Sequence, residues 1–278
     1  MPALSRVETL ELFPGLHEEL LKLLGGLEVE DWRKPTACQG WSVQDVAAHI
    51  LDTQLRIVSA GRDGHHLPPG GAIGSYRELV DYLNELNGEW VKAMRRVSPQ
   101  VLTGMLTKSG PALAEHLATW DPDGPAPFPV AWAGETTSAN WFDIGRQYTE
   151  YWHHQAQIRE AVGAQGLTGR KWLWPVLALF MRGVPWAYKE VAAQAGSAVA
   201  IVIEGEAGGV WTLLRGGHGW ELVEREAGDV KANVRLSDQT AWRLFTNGLT
   251  AERAAAEVML KGNRTLAEVF LSVRSVMV

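Results

Sequence analysis

The sequence predicts an α-helical N-terminal domain followed by an α+β C-terminal domain, in which packed helices accompany an antiparallel sheet. Three observations carry this. Apolar residues recur at helical spacing through most of the first 195 positions, and a proline- and glycine-rich stretch interrupts them at 121–140. After Gly196 the pattern changes to short β-branched runs bounded by glycines.

The elements follow in order. "PGLHEELLKLLGGL" places leucines at 16, 20, 23 and 24 on one helical face, with Gly25 and Gly26 as the stop and His17 on the polar side. "SVQDVAAHILDTQLRIVSAG" opens with Ser42 as N-cap and Asp45 three residues later, a carboxylate version of the capping box. Its apolar positions 43, 46, 47, 50, 57 and 58 share a face, and Gly61 is expected to cap its end. "SYRELVDYLNELNGEWVKAMRRV" predicts a third helix closed by "SPQ", and "PALAEHLATW" a short fourth. The stretch "DPDGPAPFPVAWAGETTSAN" is long for a structureless loop, and such loops are often functional. A long helix is expected from about Trp141 to Val162, and another helical stretch from Lys171 to about Ala195.

Beyond Gly196, "SAVAIVIEG", "GGVWTLLRGG", "GWELVER" and "KANVRLS" read as strands of a meander. "SDQTAWRLFTNG" reads as a helix capped by Ser237 or Asp238. "AERAAAEVMLKG" passes from a short helix into a strand, and "NRTLAEVFLSVRSVMV" closes the chain as a helix. The expected organisation is therefore a helical domain over 1–165, a linker helix over 166–195 and an α+β domain over 196–278.

Composition narrows the function. The chain has 278 residues, 46% hydrophobic and 21% charged, enough to bury a sizeable core. A formal net charge of -6 without any lysine or arginine block argues against nucleic acid or an anionic membrane surface as partner. The single cysteine, Cys38, precludes an internal disulfide and fits a reducing cytoplasm. The N-terminal residues lack a signal-peptide layout. The apolar run "WLWPVLALFM" falls short of the ~20 residues that span a bilayer, so no membrane span is expected. Thirteen tryptophans are read mainly as core; Trp41, Trp132 and Trp141 are candidates to line a pocket mouth with "AWAGE" as a lid over it, but packing is the preferred reading for each.

The densest chemistry lies in "YTEYWHHQAQIREA", residues 148–161. At about 100° per residue, Trp141, Ile144, Tyr148, Tyr151, Trp152, Ile158 and Val162 share an apolar face. Glu150 and His154, four apart, lie together along its flank, whereas His153 falls nearly opposite and is expected to face solvent. A carboxylate and an imidazole at this spacing offer two ligands to one divalent cation. A surface hydrogen-bonded pair is the common alternative, so a third ligand is needed. His49, on a flank of its helix's apolar face, is the best candidate. Asp143 and Arg146 are candidates to orient the ligands, and Arg159 reads as a structural ion pair. Cys38, with no histidine at helical spacing to activate it, reads as a small buried residue.

Two segments carry a resemblance. "EDWRKPTACQGWSVQDVAAHI" (30–50) and "VAWAGETTSANWFDIGRQYTEYWHHQAQIREAVG" (130–163) resemble, in order and spacing, the mycothiol-dependent maleylpyruvate isomerase family. The C-terminal strands and helices are similar in pattern to a sterol carrier protein-like domain. The resemblance implies a DinB-like four-helix bundle of up-down-down-up topology, with the metal held by His49, Glu150 and His154. It implies one divalent ion, zinc first and nickel, iron or manganese otherwise, and a low-molecular-weight thiol such as mycothiol. The expected activity is thiol activation for S-transfer or cis–trans isomerisation of an electrophilic small molecule, by a monomer or homodimer in the cytoplasm. A metal-binding protein that holds an apolar ligand, or a metal-dependent hydrolase, are the alternatives. The family's C-terminal substrate-binding arginine could correspond to Arg215, Arg225, Arg235 or Arg243, and no motif selects among them.

Overall fold

The computed structural model describes residues 4–224 and 229–276, which pack as two compact units. One unit comprises residues 9–124 and 150–167 and contains α1 (Phe13–Gly25), α2 (Val43–Gly61), α3 (Tyr76–Met94), α4 (Pro99–Leu117) and the second half of α5 (Asn140–Val162). The other comprises, among the described residues, 4–8, 125–149, 168–224 and 229–276.

In the helical unit, the capping box opening α2 forms as expected. Ser42 accepts from the Asp45 backbone N–H while the Asp45 carboxylate accepts from that of Ser42. The stop signals differ. Gly61 lies inside α2 rather than after it, and its missing side chain serves packing, since a Cβ there would sit 2.2 Å from Nε2 of His116. "SPQ" begins a helix instead of ending one. Ser98 caps the N-terminus of α4 and Pro99 takes its first position, where the missing N–H costs nothing. The expected short fourth helix is therefore the second half of a 19-residue helix that accommodates Pro111.

Which helices form the bundle is visible in its buried polar centre. His17 of α1 meets the Tyr151 hydroxyl of α5, Gln54 of α2 lies beside Tyr151, and the Ser109 hydroxyl of α4 donates to Gln54 Oε1 at 2.6 Å. Helices α1, α2, α4 and α5 thus converge on one buried polar cluster, and α3 packs on α2, where Trp90 Nε1 donates to the Ala48 carbonyl at 2.8 Å. His17, expected on the polar face, is buried; a neighbouring glycine, Gly110, leaves room for its ring. Arg159 closes the far end of α5, donating to the carbonyl and carboxylate of Glu19 and to the Gln165 carbonyl, the structural role expected of it.

In the other unit, the helical stretch after Lys171 is shorter than expected. It comprises α6 (Arg170–Phe180), a 3-10 turn over Met181–Gly183 and the single-turn α7 (Val184–Ala187). Beyond them are β1 (Ser197–Glu204), β2 (Gly209–Arg215), β3 (Trp220–Val223) and β4 (Asp229–Ser237). Then follow α8 (Asp238–Phe245), α9 (Ala251–Glu257), β5 (Met259–Gly262) and α10 (Arg264–Glu268). The sheet order is β3-β2-β1-β4-β5. Its pairings are antiparallel except that of β1 with β4, which is parallel, so only β1 to β3 form the expected meander. Alternating burial of Ala232, Val234 and Leu236 in β4 marks its core face. Phe180 of α6, Phe245 of α8 and Phe270 stack in series edge to face, with centroid separations of 5.9 Å. The expected C-terminal helix is one turn and a half followed by a 3-10 turn over Val269–Ser272. Among the described residues, no helix is long and apolar enough to cross a membrane.

Candidate metal centre

The middle of α2 and the second half of α5 bring His49, Glu150 and His154 together. One ligand atom from each lies within 4.8 Å of the others, and no other such group of His, Cys, Asp or Glu occurs among the described residues. Nε2 of His49 is 3.2 Å and Nε2 of His154 is 3.0 Å from the same oxygen, Oε1 of Glu150. Both histidines are buried, at 3% and 6% exposure, while the Glu150 side chain keeps 34% of its surface open. The cluster therefore has two dry nitrogen donors beside a half-buried glutamate. Trp41 packs against His49, with ring centroids 5.1 Å apart.

Electrostatics follow from this crowding. Burial disfavours charge on Glu150, but the charge and hydrogen bonds of His154 and His49 outweigh it and hold the carboxyl well below the usual carboxylate range. Burial likewise opposes a proton on His154, yet the Glu150 carboxylate pushes this histidine upward. For His49 the balance reverses, because burial dominates its bond to Glu150 and lowers it.

The donor set suits a divalent cation. His154 Nδ1 lies 2.8 Å from Oε1 of Gln157, an oxygen that can only accept, so Nδ1 carries a proton. Its Nε2 then faces a carboxylate oxygen and needs a positive charge between them, whether a proton or a metal ion. Two imidazole nitrogens and one carboxylate oxygen are a three-ligand set of the type used by catalytic zinc, which leaves a position for another ligand.

His153 departs from its expected place. It is 6% exposed, because α5 is buried nearly all round between Tyr148 and Arg159. Its ring lies against that of His154 with centroids 4.5 Å apart, and its Nε2 accepts from Gln157 Nε2 at 2.8 Å. Burial and the nearby His154 charge push it down to about 3, so it is neutral at physiological pH. Gln157 itself was not singled out by the sequence. Its position three after His154 and four after His153 was the available signal. Cys38 is half-buried, and its thiol donates to Gln157 Oε1 at 3.1 Å, so tertiary structure sets it beside His154 where helical spacing could not.

The other candidates fall elsewhere. Arg146 and Gln147 both donate to one oxygen of Asp143, a closed cluster on α5, so the group that orients His154 is Gln157. Trp132 packs edge to face on Phe142 and Phe180, and Trp141 stacks on Phe142 under the Arg182 guanidinium; both are packing residues of their own unit. "AWAGE" forms a 3-10 turn over Ala131–Ala133 that ends at Gly134 with φ of 79°. Arg215 donates to the Gly216 carbonyl, Arg235 pairs with Glu204, and Arg243 lies over Trp242; Arg225 is outside the described residues.

Comparison with known proteins converges on one family. Residues 13–159 match the family described as the mycothiol maleylpyruvate isomerase N-terminal domain. Among solved structures, the crystal structure of the mycothiol-dependent maleylpyruvate isomerase aligns over 94% of this chain and 96% of its own, with TM-score 0.56 and 14% identity. A histidine-to-alanine mutant of that enzyme aligns over the same shares with TM-score 0.55 and 13% identity. No curated protein matches the chain. The structural likeness supports the helical-plus-α+β architecture.

Proposed function

The chain belongs to the mycothiol maleylpyruvate isomerase N-terminal domain family, and on that premise we propose that it is a divalent-metal-dependent enzyme acting on a low-molecular-weight thiol. The reaction is cis–trans isomerisation of maleylpyruvate or a similar electron-poor alkene, or S-transfer to an activated acceptor. The observation that carries this reading is the convergence of His49, Glu150 and His154 within 4.8 Å, a three-ligand set.

When bound, a divalent cation lowers the pKa of a coordinated thiol, which makes a nucleophile available at neutral pH. The chain's own residues prepare the site for it. His49 and His154 present Nε2 from a dry interior, Glu150 supplies one negative charge, and Trp41 shields the His49 side. Isomerisation conserves atoms. The thiolate sulfur adds to one alkene carbon, the new single bond rotates, and elimination restores the double bond and releases the thiolate. Zinc is the first candidate ion, from the mixed nitrogen and oxygen donors. The single cysteine favours a reducing, cytoplasmic setting.

The test is an assay of the zinc-loaded chain with mycothiol, glutathione or cysteine as thiol and maleylpyruvate as acceptor. Turnover that requires both metal and thiol is the expected result. Equal turnover after complete metal removal, or none with any thiol and acceptor, would sink the proposal.

A further inference from the structure

Gln157 makes three contacts with one carboxamide. Its Oε1 accepts from His154 Nδ1 at 2.8 Å and from the Cys38 thiol at 3.1 Å, and its Nε2 donates to His153 Nε2 at 2.8 Å. In this orientation the donors and acceptors are mutually consistent: the carboxamide nitrogen donates, His153 Nε2 accepts, and the Cys38 S–H faces the oxygen. The side chain is buried.

The arrangement has a cost that packing does not explain. With Nε2 accepting, His153 carries its proton on Nδ1, and that buried nitrogen has no hydrogen-bond partner. A buried donor left unsatisfied is destabilising, and an apolar residue at 153 would avoid that cost. What the imidazole provides in return is an acceptor that holds the Gln157 carboxamide one way round. Cys38, from the turn before α2, holds the other end.

We propose that Gln157 is a positioning residue for the metal ligand His154, with Cys38 and His153 locking the carboxamide that aims His154 Nε2 at the ion. This rests on the reading of His49, Glu150 and His154 as metal ligands. Gln157 selects the tautomer with Nδ1 protonated and orients the ring about its Cβ–Cγ axis. Groups that hydrogen-bond to a ligating histidine in this way typically change metal affinity about 10–100-fold when removed.

The experiment compares the full-length chain with Gln157→Leu and Gln157→Glu, after circular dichroism confirms that both are folded. Zinc affinity is measured by competition with a chromophoric chelator, and the ligand field by the visible spectrum of the cobalt form. Long-range proton–nitrogen NMR of the metal-free protein reads the His154 Nδ1 proton. Gln157→Leu is expected to weaken zinc about 10–100-fold, alter the cobalt spectrum and lose the protected Nδ1 proton. Gln157→Glu is expected to retain affinity within a few-fold, because a carboxylate keeps the acceptor and is itself a common partner of ligating histidines. A purely structural role predicts the reverse ranking, since a buried charge disrupts packing more than leucine does. Wild-type affinity and cobalt spectrum in Gln157→Leu, or equal loss in both variants, would overturn the proposal. If the wild-type chain binds no metal, the ligand assignment fails by itself, and the NMR comparison still decides whether Gln157 sets the His154 tautomer.

Discussion

His49 and His154 meet edge to face, with ring centroids 4.6 Å apart and 84° between their planes, and both direct Nε2 at one oxygen of Glu150. Two helices far apart in the chain thus present a nitrogen pair that neither could offer alone. The geometry has consequences that can be measured.

Removal of the donors comes first. His49→Ala, or Glu150→Ala combined with His154→Ala, is expected to abolish binding of one metal ion per chain, read by elemental analysis after dialysis. Because the ligands must shed protons to bind a cation, zinc affinity in the wild-type chain is expected to fall as pH is lowered. Full metal content in the double variant would refute the ligand assignment.

His153→Ala is a separate case. His153 contacts His154 and Gln157 but is outside the ligand set, so one zinc per chain is expected to remain at saturating metal. The cost should instead be in stability, about 1–3 kcal/mol from the emptied site and the unpaired Gln157 amide. Denaturant unfolding of the metal-free protein measures it, and an unchanged midpoint would argue against the packing described.

Asp45 links the start of α2 to acid stability. Burial opposes its ionisation, but Arg95 and the Ser42 backbone N–H and hydroxyl hold its carboxyl below the usual value. A folded-state pKa below the unfolded one contributes stability above about pH 4, lost as pH falls through the lower folded value. Asp45→Asn, which removes the charge facing Arg95, should cost about 1–3 kcal/mol at pH 7, and the difference from wild type should shrink on acidification below pH ~4. A difference independent of pH over that range would contradict this account.

Gly110→Ala tests the buried polar centre. An added Cβ would lie 2.2 Å from Cε1 of His17, whose ring is held by Tyr151 and cannot simply move aside. The expected loss is about 1–3 kcal/mol. His17 is also lowered by burial, so it folds neutral, and the protein should lose stability as pH falls below ~6.5 because the unfolded chain takes up the proton first. A His17→Gln variant should make that limb shallower, while His49 and His153, also lowered by burial, retain the rest of it.

Local chemistry in the sequence determined a good deal. The capping box fixed the start of α2, the long helical period defined α5 to within a residue at its start, and the Glu150–His154 spacing marked the candidate site. Those features depend on contacts within a few residues, which periodicity and capping rules read directly. Tertiary structure decided the rest. The single-face wheel placed His153 and His17 towards solvent, but α5 is packed on several sides from Tyr151 to Arg159, and the His17 ring turns to Tyr151 in the space left by Gly110, so both are buried. Ser98 and Pro99 could mark either a helix end or a start until α4 packed on α1 and α2. Parallel pairing of β1 with β4 and the approach of Cys38 to Gln157 join residues remote in sequence, and such pairings leave no local trace because their free energy is realised only when the chain is folded.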